Sequence, residues 1–307
     1  TQLPCLWGDI LLKVGLVCLA GGSDTGKSSF ARGLGIACAV GESDYLEYSL
    51  YTEHKSVIFV SSEDDQMATS FLLGKQAKKY EPARLKNLRF IFNIDNNLIE
   101  TLDRKLTKKR ADIIIMDCLA DVYGNDLKDT QKIRSFLHPY QELAVKHKCL
   151  ILFIHHTGQR TEQQEPSKNN LLSGQGLEAK MRMVMELRSD LVNPSVRHLC
   201  IVKGNYIPMK LKRESFILRF DEETFTFTNT GERAPFELLV KQNEDQAKAR
   251  YLQAKELQDA GYNYDKIAEV IGYDSKGSIT KLFQRAQKNG WDKSVSNRKQ
   301  KKQSGNL

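Results

Sequence analysis

The stretch that most constrains the fold is at residues 21–30 and reads GGSDTGKSSF. Four of its residues satisfy the phosphate-binding pattern G-x-x-x-x-G-K-[ST]; they are Gly21, Gly26, Lys27 and Ser28. An apolar run at 15–20 precedes this phosphate loop (residues 21–28), and a run with helix-like composition at 30–39 follows it. Glycines let the backbone curl so that its N–H groups point at phosphate oxygens. The chain is therefore predicted to bind a nucleoside triphosphate between a strand and a helix.

The predicted ligands of this loop are ATP and Mg²⁺. Lys27 is expected to reach the terminal phosphates, and the Ser28 hydroxyl is expected to ligate Mg²⁺. The residues expected to contact the nucleotide are Gly21, Gly22, Ser23, Asp24, Thr25, Gly26, Lys27, Ser28 and Ser29. No base-contacting motif is visible, so a preference for ATP over GTP does not follow from the sequence.

Three further apolar runs end in polar residues. These runs and the residues that follow them are 56–62 with Glu63, 111–116 with Asp117, and 149–154 with His155 and His156. Ligands bind outside the carboxyl ends of parallel strands, so we expect Asp117 to be a second Mg²⁺ ligand. Glu63 is the candidate base that orients and deprotonates the attacking water. The alternative for both carboxylates is a helix N-cap.

The alternation of strands with helices predicts an α/β fold whose sheet is mostly parallel and covered on both faces. A long polar stretch at 158–176 interrupts this rhythm and is expected to be a functional loop without regular structure. Later apolar runs alternate more and predict antiparallel strands at one edge of the sheet; they are 181–187, 197–203, 215–220 and 224–228.

The C-terminal part differs in composition and charge. Residues 246–307 contain ten Lys and three Arg against six acidic residues, so this segment carries +7 of the net charge of +8. A localised basic segment is typical of nucleic-acid binding, and a small protein-contact domain is the alternative. The predicted domains are an ATPase domain at 1–230, a linker at 231–245, an all-α helix-turn-helix domain at 246–292 and a basic, disordered tail at 293–307.

Composition narrows the class of protein further. The chain has 307 residues, of which 40% are hydrophobic, which is typical of a globular protein. No apolar run approaches the ~20 residues of a membrane span, and we expect a soluble, cytoplasmic protein with no membrane partner. The six cysteines include no C-x-x-C pair, so we expect neither disulfides nor a zinc site.

These motifs together resemble the RecA-like ATPases. The phosphate loop, Glu63 after the second strand, Asp117, and His155-His156-Thr157 after the fourth carry the resemblance. Within this class the pattern is similar to the RepA-type hexameric helicases of plasmids and mobile elements, through the double His and the stretch at 203–206, KGNY. The resemblance covers about residues 5–230 and implies a RecA-like P-loop NTPase core.

The resemblance also implies a sensor and a DNA-binding loop. His156 matches the position that senses the terminal phosphate, and the loop at 158–176 matches the one that contacts single-stranded DNA. From the residues alone, a strand-end His can donate a hydrogen bond to phosphate, and Arg160 and Lys168 can contact a DNA backbone. The loop has no aromatic residue for base stacking, and capping or packing is the alternative for the two histidines.

Finally, the resemblance implies a homo-oligomeric ring, hexameric in this family, whose sites are completed by a neighbouring subunit. Arg182 falls at the position of the arginine finger, and Lys203 at that of a second cation acting in trans. A surface salt bridge is the alternative for Arg182, and Arg160 and Arg188 compete for the role. The implied function is an ATP-driven, DNA-acting motor such as a replicative helicase. An ATP-switched DNA-binding initiator or regulator, or a filament-forming recombination mediator, is the alternative.

Overall fold

The structure is a computed structural model, and it describes residues 3–158, 161–172, 175–240, 244–273 and 275–291. The chain divides into two compact units, Thr1–Leu239 and Val240–Leu307. The strands are β1 (Cys5–Trp7), β2 (Leu11–Leu12), β3 (Gly15–Gly21), β4 (Asp44–Tyr45), β5 (Tyr48–Ser49), β6 (Val57–Ser61), β7 (Leu88–Ile91), β8 (Ile113–Asp117), β9 (Leu150–His156), β10 (Met183–Ser189), β11 (Val196–Gly204), β12 (Glu214–Asp221) and β13 (Thr226–Pro235). The α-helices are α1 (Lys27–Val40), α2 (Gln66–Gln76), α3 (Leu98–Lys108), α4 (Leu119–Tyr123), α5 (Thr130–His147), α6 (Gln175–Lys180), α7 (Glu244–Asp259), α8 (Tyr264–Ile271) and α9 (Lys276–Lys288).

A nine-stranded sheet forms the centre of the first unit, in the order β13-β12-β11-β10-β3-β9-β8-β6-β7. In this order, neighbouring strands from β10 to β7 run parallel to one another, whereas each neighbouring pair from β13 to β10 is antiparallel. The predicted α/β class with antiparallel edge strands is confirmed. β10 is antiparallel to β11, as predicted, but it is parallel to β3, because the chain crosses back through α6 and enters β10 in the direction of β3.

The central strands are buried on both faces. Every residue of β6 and β8 is buried, which explains why these strands are apolar throughout. On one face, Phe30 and Leu34 of α1 pack in the same core as Phe59. On the other, Leu102 of α3 and Leu137 of α5 pack with the side chains that point the opposite way. The sheet therefore holds the carboxyl ends of β3, β6, β8 and β9 in fixed positions at one edge.

Two segments predicted to lack regular structure are partly ordered. In the predicted linker at 231–245, β13 continues to Pro235 and a 3-10 helix spans Phe236–Leu239, because Phe236 and Leu239 are buried in the first unit. In the loop at 158–176, 3-10 helices span Thr161–Gln163 and Lys168–Asn170, and α6 already includes Gly176. Gln159 and Arg160 of this loop, and the tail at 293–307, lie outside the described residues.

The described part of the second unit contains three helices, α7 to α9, around a small apolar core. Its buried side chains include Tyr251, Ile267, Ile279, Leu282 and Trp291. Asn263 caps α8 by accepting a hydrogen bond from the backbone N–H of Lys266, and Gly272 ends the helix in the left-handed region at φ 78°. In neither unit does a described helix combine the length and the apolar character needed to cross a membrane.

Candidate nucleotide-binding and catalytic site

The phosphate loop connects β3 to α1 at the carboxyl edge of the sheet. Gly26 has φ 88°, a left-handed conformation that favours glycine. A Cβ atom on Gly21 would lie 2.4 Å from the carbonyl oxygen of Leu187 in the neighbouring strand β10. Glycine is therefore required at both positions, once for backbone conformation and once for close packing against the sheet.

Lys27 is the first residue of α1, and its side chain lies inside the curl of the loop. The residue is 6% exposed, and its ammonium group donates a hydrogen bond to the carbonyl oxygen of Gly22 at 2.6 Å. Burial lowers the pKa of Lys27, and the negative charges of Asp117 and Glu63 oppose this shift. The loop thus holds a cation inside its curl, where the cation can bind a triphosphate.

Asp117 is the last residue of β8 and is 3% exposed. Burial raises the pKa of its carboxyl group to about 6, while a hydrogen bond with the Ser28 side chain opposes the shift. Its Oδ1 atom is buried and makes no hydrogen bond to the described part of the chain. A buried carboxylate with a free oxygen beside a serine hydroxyl is a donor set that suits Mg²⁺, so the residues present fit the implied metal.

Glu63 and His156 meet above the ends of β6 and β9. His156 is the last residue of β9, and its Nε2 atom lies 3.3 Å from Oε1 of Glu63. The side chains of His156 and Glu63 are 34% and 45% exposed respectively, so both can reach a bound substrate. The geometry links the candidate phosphate sensor to the candidate base by one hydrogen bond.

The capping alternative for the two carboxylates does not fit the structure. The N-cap of α2 is Asp65, which accepts a hydrogen bond from the backbone N–H of Ala68 at 2.8 Å. The N-cap of α4 is Cys118. Neither Glu63 nor Asp117 is therefore needed to cap the helix that follows it.

His155 differs from its neighbour in position and chemistry. It is buried, and neither ring nitrogen makes a hydrogen bond within the described residues. Burial lowers the pKa of His155 to about 4, with smaller contributions from His156 and Lys27. The ring is neutral at pH 7 and packs inside the sheet, whereas His156 faces the site.

The antiparallel half of the sheet holds the loop in place, which the sequence did not predict. The Nε atom of Arg197 donates a hydrogen bond to the Thr25 carbonyl oxygen at 3.1 Å, and its guanidinium carbon lies 5.0 Å from the ring centroid of Phe220. The ring of Phe227 lies 3.0 Å from where a Cβ atom on Gly26 would be. The only signal in the sequence was that Arg197 lies just before the apolar stretch at 199–202.

A second unpredicted network lies on α1. The buried Arg32 donates a hydrogen bond to Oε1 of Gln76 at 3.1 Å, and its Nη2 atom is 3.5 Å from Oδ2 of Asp64. Gln76 in turn donates to the backbone carbonyl of Ser29 at 2.9 Å. Arg32 also favours the ionised form of Asp117. This network joins the start of α1 to α2 and to the end of β6.

The cations proposed to act in trans lie away from this site. Arg182 is exposed just before β10, beside Gly15 at the start of β3, and a strand of seven residues spans about 20 Å. Lys203 lies at the same end, opposite Val184, and donates to the Glu178 carbonyl oxygen at 2.5 Å. Both therefore lie at the amino ends of β3 and β10, whereas the phosphate loop lies at their carboxyl ends.

The competing cations are engaged within the chain or lie outside the described residues. Arg188 is buried and binds Glu186 at 2.6 Å and the Gln164 carbonyl oxygen at 2.6 Å. Lys168, predicted to contact DNA, pairs with Glu178 at 3.2 Å. Arg160 lies outside the described residues.

Comparisons with known proteins agree with this architecture. Residues 1–162, more than half of the chain, match the model of a family described as AAA domain. The fold is similar to that of a solved structure described as an ATPase domain, with a TM-score of 0.55 and 15% identity over 71% of this chain and 85% of that chain. No curated protein matches the sequence. The chain belongs to the AAA domain family, and its first unit has a RecA-like P-loop ATPase fold.

Proposed function

We propose that the chain hydrolyses Mg·ATP and uses the energy to act on DNA, as an ATP-driven motor of the RepA-like replicative helicase type. One observation carries the proposal: the side chains that ATP hydrolysis needs converge at the carboxyl ends of β3, β6, β8 and β9. These residues are Lys27, Ser28, Glu63, Asp117 and His156. The RecA-like fold and the family supply the context in which such a site hydrolyses ATP.

Each of these groups has a defined task in the proposed reaction. Lys27 binds the terminal phosphates, and Glu63 orients the attacking water and accepts its proton. Ser28 and Asp117 would hold Mg²⁺, whose charge would stabilise the negative charge that develops on the phosphate oxygens. His156 contacts Glu63 at 3.3 Å, so a hydrogen bond from His156 to the terminal phosphate would alter the position of the base.

Arg182 and Lys203 support an oligomeric arrangement. They lie at the sheet edge opposite the loop, where they can approach the site of another copy in a head-to-tail assembly. We propose that repetition of this contact closes into a hexameric ring rather than an open filament. Lys203 would first have to exchange its contacts with Glu178 for a phosphate oxygen.

Two substitutions test the proposed chemistry. Lys27→Ala should abolish nucleotide binding, because it removes the ammonium group from the loop. Glu63→Gln should bind ATP normally and hydrolyse it about 10²–10⁴-fold more slowly, because the base is lost while the contacts to phosphate remain. Glu53→Gln, an exposed carboxylate paired with Lys13, is the control. Full turnover by Glu63→Gln would show that Glu63 is not the base.

A second candidate function is an ATP-switched regulator that binds duplex DNA through the second unit. The observation in its favour is α9, which follows a short turn after α8 and exposes Lys276, Lys281 and Lys288. Lysines on one helix can contact DNA phosphates. In this case ATP would control assembly, and the second unit would select the DNA.

Stimulation of ATP hydrolysis by DNA separates the two candidates. A motor of the helicase type should respond to single-stranded DNA, and a chain that ends at Leu239 should retain much of that response. A regulator should bind duplex DNA only, and the same truncation should remove the binding. The charge substitutions Lys276→Gln and Lys281→Gln test α9 in the full chain, since both side chains are exposed.

A further inference from the structure

A thiol lies next to the candidate base and sensor. Within the described ranges, one group of at least three metal-ligating side chains has its ligand atoms within 4.8 Å of one another: Glu63, Cys118 and His156. The three residues lie at or just after the ends of three different strands, β6, β8 and β9. No local sequence motif such as C-x-x-C therefore predicts the group. We propose that these three side chains form a binding site for Zn²⁺.

The ligand types and their spacing suit this ion. Zn²⁺ takes Cys sulfur at ~2.3 Å and His nitrogen or carboxylate oxygen at ~2.0–2.2 Å, so its tetrahedral ligands lie about 3.3–3.7 Å apart. Nε2 of His156 and Oε1 of Glu63 are already 3.3 Å apart. The other separations, at most 4.8 Å, need only small side-chain rotations to close on the ion. The thiol proton would leave to solvent on binding.

The backbone holds Cys118 toward this cluster. The Ser62 hydroxyl accepts a hydrogen bond from the Cys118 N–H at 2.8 Å and donates to Oδ2 of Asp121 at 2.8 Å. The Ser62 N–H donates to the Asp117 carbonyl oxygen at 2.7 Å. These bonds tie the segment that carries Glu63 to the segment that carries Cys118.

Burial gives the site one closed side and one open side. Cys118 is 2% exposed, whereas Glu63 and His156 are partly exposed. Three protein ligands therefore leave a fourth position that water can fill, as in zinc sites that are not purely structural. The nearby Mg²⁺ candidates, Ser28 and Asp117, offer only oxygen ligands, which suit a harder cation.

Zinc at this position would switch off ATP hydrolysis, an inference that rests on the proposed roles of Glu63 and His156. A carboxylate bound to zinc is a much weaker base toward water, and an imidazole bound through Nε2 cannot contact phosphate through that atom. The chain would still bind ATP, because Lys27 is not a ligand of the zinc ion. The predicted effect is inhibition of turnover without loss of nucleotide affinity.

The first experiment measures metal binding by the reduced, full-length chain without nucleotide. Competition with a chromogenic chelator should give one tightly bound Zn²⁺ per chain. Co²⁺ in its place should give a thiolate-to-metal charge-transfer band. Cys118→Ser should lose this band and bind Zn²⁺ at least about 10-fold more weakly, and His156→Gln should also weaken binding. Cys5→Ser, which changes a partly exposed thiol, should bind as the wild type does.

The outcomes separate this proposal from the proposed function. Binding without the thiolate band, or binding unchanged in Cys118→Ser, would overturn the zinc site and place the ion elsewhere, for example at Ser28 and Asp117. Circular dichroism checks that each variant is folded, and Cys118→Ala repeats the test. ATP hydrolysis is then measured with buffered free Zn²⁺ and compared with each variant's own zinc-free rate. A zinc-bound wild type that hydrolyses ATP at its full rate would keep the site and refute the proposed roles of Glu63 and His156.

Discussion

Replacing Asp117 by Asn should stabilise the folded chain while removing its metal site. Asp117 is 3% exposed, and burial raises the pKa of its carboxyl group from 3.8 to about 6. Ionisation of this group therefore opposes folding. A carboxyl group whose pKa is higher in the folded state contributes its full stability below the unfolded pKa and loses it as the pH rises through the folded value.

The size of the effect follows from the pKa shift. Because the pKa rises from 3.8 to about 6, and a tenfold change in the acid dissociation constant corresponds to ~1.4 kcal/mol, the ionised side chain costs about 3 kcal/mol at pH 8. The same linkage gives about 2 kcal/mol near pH 5.5 and less than about 1 kcal/mol at pH 4, where the folded carboxyl group is protonated. Asn is neutral and similar in shape, so the free energy of unfolding of Asp117→Asn should exceed that of the wild type by these amounts.

The assay is urea unfolding without Mg²⁺ or nucleotide at pH 4, 5.5 and 8. The chain has two tryptophans, so fluorescence of Trp7 in a Trp291→Phe background reports on the first unit. A difference between Asp117→Asn and the wild type that is zero or negative at pH 8, or that does not grow with pH, would refute the reasoning.

Asp112→Asn is the matched control, because Asp112 is also a buried aspartate but is satisfied. Its carboxylate accepts hydrogen bonds from the backbone N–H groups of Glu53, His54 and Ser56 at 2.7–3.2 Å. Replacing it by Asn removes charge-assisted bonds, so this variant should lose about 1–3 kcal/mol. The two substitutions are chemically identical and should change stability in opposite directions at pH 8.

Three further predictions concern the phosphate loop, the Arg197 contact that holds it and the distant cation Arg182. Gly21→Ala should weaken ATP binding at least about 10-fold in a nucleotide titration, because its Cβ atom would lie 2.4 Å from a backbone oxygen. Gly74→Ala in α2 is the control: its Cβ atom would meet nothing within 4 Å, and the variant should stabilise the chain by about 0.5–1 kcal/mol. Arg197→Ala should raise the KM for ATP several-fold with a smaller change in kcat, since it removes the bond to the Thr25 carbonyl; an unchanged KM would contradict this role. Arg182→Ala should lower kcat about 10³-fold, and mixing it with Lys27→Ala subunits should restore part of the activity, which cannot happen if the cation acts within its own subunit.

The proximity of the candidate site residues could be predicted wherever a strand ends in one of them. Asp117 closes a strand that is apolar throughout, and Lys27 and Ser28 belong to a motif with a fixed spacing. Parallel strands bring such ends to one edge of a sheet, so proximity followed from the fold class alone. The parallel pairing of β10 with β3 did not follow. Arg182 and Glu186 made the run at 181–187 look alternating and half-exposed, yet Glu186 is buried inside the sheet and pairs with Arg188 at 2.6 Å.

Contacts between distant segments were beyond the reach of sequence patterns. Arg197 reaches Thr25 only because β10 and β11 lie beside β3, and Cys118 meets Glu63 and His156 only because β8 lies between β6 and β9. Strand order determines both contacts, and one sequence without an alignment of relatives does not supply it.

The two aspartates that bracket β8 show how burial and bonding together indicate function. Asp112 lies just before the amino end of β8, and both of its carboxylate oxygens accept hydrogen bonds from backbone N–H groups. Its charge therefore stabilises the fold. Asp117, at the carboxyl end, keeps one oxygen buried and without a hydrogen bond to the described residues. An Asn or a hydrophobic residue at position 117 would avoid the free-energy cost of this buried charge, yet the charge lies beside Ser28 and near Lys27. A buried charge that destabilises the folded chain is stabilised most strongly when a cation binds beside it. This end of the sheet must therefore combine low local stability with high affinity for a metal-bound triphosphate.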